Sequence, residues 1–196
     1  MEKSIVEEYL SMKKHGQLYP YRGIMPSIHS DAFIAQTAVL IGDTHVGKES
    51  GIWYGCVVRG DVNEIRIGER TNIQDLSMIH CAELGQGTYL GNDITVGHSA
   101  VLHACTIEDK AFIGIQACVM DDCLIETGAM VAAGALVTPG KIVKAGEVWA
   151  GQPAKKLRDI NQNDLDFFAI NRKRYARLAA EYQLEQFGYE ADLDDQ

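Results

Sequence analysis

From Ile34 onward an aliphatic residue returns at every sixth position, at Ile34, Leu40, Val46, Ile52 and Val58, and small residues follow four places after each at Ala38, Thr44, Ser50 and Cys56. After a three-residue slip the series resumes at Ile67, Ile73 and Ile79, pauses over the segment ELGQGT and continues at Leu90, Val96 and Leu102. One residue is then lost, and the series runs from Ile107 through Ile113, Val119, Ile125, Val131, Val137 and Val143 to Trp149. A helix cannot produce this spacing, because at about 100° per residue a step of six turns the apolar position by roughly 240° and scatters it around the axis. A short strand closed by a corner in every hexad produces it directly. The pattern therefore predicts a mainly β fold over residues 34–152, a coil with three hexads, or about 18 residues, per turn and coils stacked about 4.8 Å apart.

The flanks lose the hexad. Ile5, Val6, Tyr9 and Leu10 fall at helical spacing, which predicts a short N-terminal helix over 3–14 closed by Gly16, with Tyr19, Pro20, Gly23 and Pro26 breaking it. From Lys155 to Phe187, Leu165, Phe168, Ile170, Tyr175, Leu178, Ala179 and Tyr182 alternate with charges, which predicts a long C-terminal α-helix lying back along one flat face of the coil. The acidic tail EADLDDQ is expected to be disordered. With 196 residues, the whole of 1–196 is expected to form a single domain around one continuous core.

Charge and cysteine content narrow the partners. A formal net charge of −9 argues against nucleic acid or an anionic membrane, since both need a positive surface. A small solute is the expected ligand. No apolar run approaches the roughly 20 residues that span a bilayer, and the charged N-terminus lacks an apolar leader core, so a cytoplasmic location is expected. Five cysteines with no CxxC pair fit reduced, core-filling thiols.

Counting rungs locates the histidines. Positions 58, 79 and 102 share a face in successive coils, so Arg59, His80 and His103 form a column. Positions 73 and 96 share the preceding face, where Asp75 and His98 hold the same place in their hexads. His80 and His103 can then ligate one ion, while His98, before the corner, needs a partner elsewhere. A neighbouring identical subunit around a threefold axis would bring its His98 to that pair. Three imidazoles and one open position make a catalytic Zn²⁺ arrangement, and Fe²⁺ or Co²⁺ suits the same donors.

The motifs VVRGD with Arg59 and Asp61, RTNIQD with Asn72, Gln74 and Asp75, IH with His80, and TVGHSAVLHACTI with His98 and His103 resemble the gamma class of carbonic anhydrases. The resemblance covers about residues 20–160, and the hexads are similar to those of left-handed parallel β-helices. It implies a left-handed coil and a homotrimer. It also implies His80 and His103 as metal ligands from one subunit and His98 from the next, an intersubunit ion pair of Arg59 with Asp61, Gln74 bonded to the metal-bound water, and Asp75 as an acidic neighbour. The implied reaction is reversible hydration of CO₂ to bicarbonate, since Zn²⁺ lowers the pKa of its water from 15.7 to about 7.

The chain also departs from the family pattern. Only ELGQGT stands where the archaeal prototype has a long acidic loop, leaving Glu83 as the candidate proton acceptor, and Val62 follows Asp61 where a second glutamate is expected. No position matches the asparagine that helps bind bicarbonate from the C-terminal helix. The alternatives are a hexapeptide acyltransferase or acyl-CoA thioesterase, for which one catalytic histidine suffices, and a metal-stabilised trimeric scaffold without turnover.

Overall fold

Every hexad aliphatic from Ile34 to Val143 is buried, and so are the small residues four places on, Ala38, Thr44, Ser50 and Cys56. Fully burying each aliphatic contributes about 1.5–3 kcal/mol relative to leaving it exposed, so the column of rungs is the principal source of stability. The computed structural model describes residues 16–187. The helix expected over 3–14 and the tail expected to be disordered lie outside the described residues.

The strands stack in parallel as a three-faced solenoid. One face is an eight-stranded sheet running from Phe33–Ile34 through Gly51–Ile52, Asn72–Ile73, Thr95–Val96, Phe112–Ile113 and Met130–Val131 to Glu147–Ala150 and Lys155–Asp159. The other two faces join into one twelve-stranded sheet because the strands Val39–Val46 and Val57–Ile67 run through the corner between them. The slip after Val58 is taken up there, where the register of the two long strands shifts between Gly42 and Thr44. Corners are tight enough that several non-glycine residues adopt left-handed backbone, among them Leu76 at φ 63° and Ser99 at φ 57°. All five cysteines are free, and all but the half-buried Cys118 are buried.

The solenoid begins before residue 34. Strands Gln17–Tyr19 and Ser27–Ile28 pair in parallel with Val39–Val46, and Ile28, six residues before Ile34, carries the hexad one step further back than the expected start. The C-terminal helix, α1, spans Gln162–Phe187 rather than starting at Lys155. The segment Lys155–Asp159 instead forms an antiparallel strand on Glu147–Ala150, satisfying the backbone edge that the last coil leaves open. Asn161 then caps α1. Its Oδ1 accepts from the Asp164 N–H at 3.2 Å while its own N–H donates to Asp164 Oδ2 at 2.9 Å, a reciprocal capping box.

α1 lies along the eight-stranded face, as the amphipathic spacing predicts. Outward-pointing Phe33 and Phe112 are buried beneath it, Phe168 stacks on Phe112 at 4.8 Å, and Trp53 meets Tyr175 and Tyr182 edge-on at 5.2 and 5.4 Å. These ring contacts fix the phase of the helix. No helix among the described residues is long and apolar enough to cross a membrane.

Candidate metal centre

Register places the predicted column. Arg59 lies opposite His80, and His80 opposite His103, on adjacent parallel strands. Side chains at 80 and 103 point outward because Ile79 and Leu102 point in. His80 Nδ1 and His103 Nε2 face each other at 3.2 Å. Each ring holds a carboxylate on its far nitrogen: Asp61 Oδ1 is 3.0 Å from His80 Nε2, and Asp121 Oδ1 is 2.6 Å from His103 Nδ1.

The carboxylates decide the tautomers. An acceptor-only oxygen beside Nε2 of His80 and Nδ1 of His103 puts the N–H on those atoms, so in two neutral rings the facing nitrogens are both lone pairs. Two lone pairs at 3.2 Å repel unless a proton or cation lies between them. Two nitrogens bound at 2.0–2.1 Å to one tetrahedral ion stand about 3.3 Å apart, so the spacing fits Zn²⁺.

His98 belongs to a second cluster. Its Nδ1 is 2.9 Å from Asp75 Oδ2, repeating the carboxylate–imidazole pairing, and its Nε2 accepts from the Tyr175 hydroxyl of α1 at 3.2 Å. Burial, joined by the charge of Asp75, raises the Tyr175 pKa, so the phenol keeps its proton. Gln74, buried beside this cluster, donates from Nε2 to Asn72 Oδ1 at 3.1 Å and reaches Asn171 Oδ1 of α1 at 3.5 Å. The single chain thus carries two half-sites, one built on His80 and His103 and one on His98.

Asp61 anchors the first half-site. Burial pushes its carboxyl up, but hydrogen bonds from His80, from the Arg59 guanidinium and from the Val62 N–H outweigh this and hold its pKa below the ordinary carboxylate range. The Arg59–Asp61 pair expected across a subunit boundary closes within one chain. Cys81 brings its sulfur to the same neighbourhood, with Asp61, His80 and Cys81 ligand atoms within 4.8 Å of one another. It is a poor ligand, since burial raises its pKa and Sγ is hydrogen-bonded to the Asn63 and Arg59 carbonyls.

No family model matches the chain, but individual relatives do. It is 42% identical over 188 residues to gamma carbonic anhydrase 1 of Arabidopsis thaliana, named as mitochondrial, covering 93% of this chain and 68% of that one. The chain belongs to the gamma carbonic anhydrase family. Gamma carbonic anhydrase 2 of Arabidopsis thaliana, named as mitochondrial, is 44% identical over 179 residues, and the chain spans 89% of its own length but 64% of that longer relative. Among solved structures, a protein of Bacillus cereus titled a putative acetyltransferase aligns with a TM-score of 0.84 at 37% identity, over 86% of this chain and 98% of that one. Another, a hexapeptide transferase family protein of Anaplasma phagocytophilum, aligns at 0.81 and 47% identity, over 85% and 98%.

Within this gamma carbonic anhydrase frame, several side chains of the two clusters lie outside the sequence motifs. The register pairs Leu102 with Val119, so the rung count leads from His103 to Met120, and Asp121 lies one place further on, in the turn that follows. Tyr175 and Asn171 could not be found that way, because they arrive on α1. Asn63, two places after Asp61, donates to the carbonyls of Ala82 and Gly85 at 3.1 and 3.3 Å and so ties down the short loop on which Glu83 lies exposed.

Proposed function

We propose that the protein is a metal-dependent carbonic anhydrase that interconverts CO₂ and bicarbonate at a site completed between subunits of a homotrimer. The observation that carries this is the facing pair of imidazole lone pairs, each ring backed by a carboxylate, with a third carboxylate-backed histidine in a separate half-site. His80 Nδ1, His103 Nε2 and a neighbour's His98 Nε2 would hold the ion. Zn²⁺ bound there would supply a water acidified to a pKa of about 7, and Fe²⁺ or Co²⁺ suits the same donors. Exposed apolar side chains around the histidines support assembly: Met78 and Val101 flank them on the same strands, and Leu76 is 68% exposed in a left-handed corner beside Asp75.

The remaining residues take roles that follow from which of their atoms are engaged. Gln74 has committed its Nε2 to Asn72 and Asn171, which leaves Oε1 to accept from the attacking water and orient it. Asn171 accepts through Oδ1 from Gln74 and Thr95, which leaves Nδ2 to donate to a bicarbonate oxygen, the place for which the sequence offered no match. Asp61, Asp75 and Asp121 fix the imidazole tautomers, and Arg59 steadies Asp61. Glu83 takes the proton toward bulk solvent. With Val62 in place of a second acid, proton export is the slow part.

Stopped-flow CO₂ hydration on zinc-loaded protein tests this. Turnover should rise steeply with imidazole buffer, because a positioned or added general base is worth about 10²–10⁴ in rate. Glu83→Ala should lower kcat in dilute buffer, be rescued by imidazole and leave kcat/KM nearly intact. No turnover at any buffer strength with metal bound would end the carbonic anhydrase reading. The two structural relatives titled as transferases favour acetyl-CoA as the next substrate to assay, and metal-bound protein inert to both would be a scaffold.

A further inference from the structure

The buried polar residues under α1 form a chain of hydrogen bonds whose direction is fixed from one end. Register stacks Asn72, Thr95 and Phe112 in one outward column of the eight-stranded face. Phe168 of α1 stacks on Phe112, and Asn171, about one helical turn on, comes down over the Asn72–Thr95 step. The Ile94 carbonyl can only accept, so the Asn72 amide turns its Nδ2 to it, at 3.3 Å, and the same Nδ2 donates to Thr95 Oγ1 at 3.0 Å. Asn72 Oδ1 is left to face Gln74 and accepts from its Nε2 at 3.1 Å.

Thr95 passes that direction on to the helix. Its hydroxyl has a single proton and already accepts from Asn72, so it donates to Asn171 Oδ1 at 3.5 Å, the same atom that Gln74 Nε2 reaches at 3.5 Å. Two donors thus converge on one side of the Asn171 amide, and Nδ2 is turned away from the sheet. At that length neither contact is strong, so the orientation of the amide depends on both. Thr95 is 1% exposed and lies next to Phe112 in its column, where valine would have nearly the same shape and no buried hydroxyl to satisfy. What threonine alone brings here is the proton for Asn171.

We propose that Thr95 is a positioning residue for the bicarbonate side of the site. It acts through Asn171, holding Nδ2 toward the place of a bicarbonate oxygen, and so rests on the carbonic anhydrase reading above. Gln74 is held separately by Asn72, so the water-orienting side of the site does not depend on the Thr95 hydroxyl. Retention of bicarbonate and attack on CO₂ are therefore separable in this chain, and Thr95 governs only the first.

The test compares full-length wild-type protein with Thr95→Val and Thr95→Ser. In stopped-flow CO₂ hydration by the zinc-loaded proteins, half-inhibition of Thr95→Val should need about fivefold more added bicarbonate, the worth of one net hydrogen bond, with kcat/KM for CO₂ within about twofold of wild type. Thr95→Ser, which keeps the hydroxyl, should restore the wild-type inhibition. In ¹H–¹⁵N spectra the Asn171 side-chain amide pair, assigned by its loss in Asn171→Ala, should move in Thr95→Val and return in Thr95→Ser, a readout that needs no turnover. Unchanged bicarbonate inhibition in Thr95→Val, a fall in kcat/KM as large as the loss of bicarbonate affinity, or failure of Thr95→Ser to restore either signal would overturn the assignment. An unmoved amide pair in an active enzyme would end this inference alone, whereas a moved pair in protein that never hydrates CO₂ would end the carbonic anhydrase reading and this role with it.

Discussion

His80 and His98 carry the same ring and the same kind of carboxylate partner, yet the chain disposes of their second nitrogens in opposite ways. His80 Nδ1 points at the lone pair of His103, an arrangement that repels until a cation or proton enters. His98 Nε2 is quenched by the Tyr175 hydroxyl. One half-site is electrostatically frustrated when alone and the other is satisfied. On the proposed reading, a metal would be recruited first by the His80–His103 pair, and His98 would join only by giving up its phenol.

The most damaging test of that contrast is removal of either half. His80→Ala and His98→Ala should each lose essentially all bound metal, measured by elemental analysis after gel filtration. If His98→Ala kept its metal while His80→Ala lost it, the two halves would not serve one ion. Asp121→Asn comes next, since it unbacks His103 without touching the ligand nitrogen. Chelator competition should show metal affinity down about 10–100-fold, the usual consequence of losing such an outer partner. Tyr175→Phe should act in the opposite direction and more weakly. Freed from a hydrogen bond worth about 1 kcal/mol, His98 should raise metal affinity about fivefold, and no change would show that the phenol is not a cap.

The smallest effect is in acid. The Asp61 carboxyl is held below its ordinary value, so its contribution to stability is fully present above the unfolded pKa of about 3.9 and is lost as pH falls through the lower folded value. In Asp61→Asn, thermal stability should vary less with pH across that window. An identical profile in both proteins would place the carboxylate in solvent.

The hexads made one half-site far more legible than the other. Arg59, His80 and His103 align because a parallel coil repeats each face at every third rung, and the rung count survives the slip and the pause in the series although the residue spacing does not. The same logic stops at Met120, one coil beyond His103, and leaves out Asp121 in the turn that follows. The second half-site depends on α1, whose phase is set by Trp53, Tyr182 and Phe33 packing together rather than by any spacing shared with the coil. A 3.6-residue period says which side of the helix is apolar, but not that Tyr175 stops beside His98 and Asn171 beside Gln74. The start of α1 differs from the expected one for a related reason. KKLRD has ordinary helical composition, and only the open backbone edge of the preceding coil turns it into a strand.

That strand has a bearing on how copies of the protein can add to one another. A stack of parallel coils is half of a fibril: its terminal strand offers unpaired amides and carbonyls at the spacing that another chain's strand requires. On the eight-stranded face the template is occupied by Lys155–Asp159, an exposed and charge-rich antiparallel strand whose Lys156 and Arg158 are held in ion pairs with Glu147, Asp159 and Asp164. A charged strand of the chain's own thus stands between the coil and any copy that would extend it from that edge.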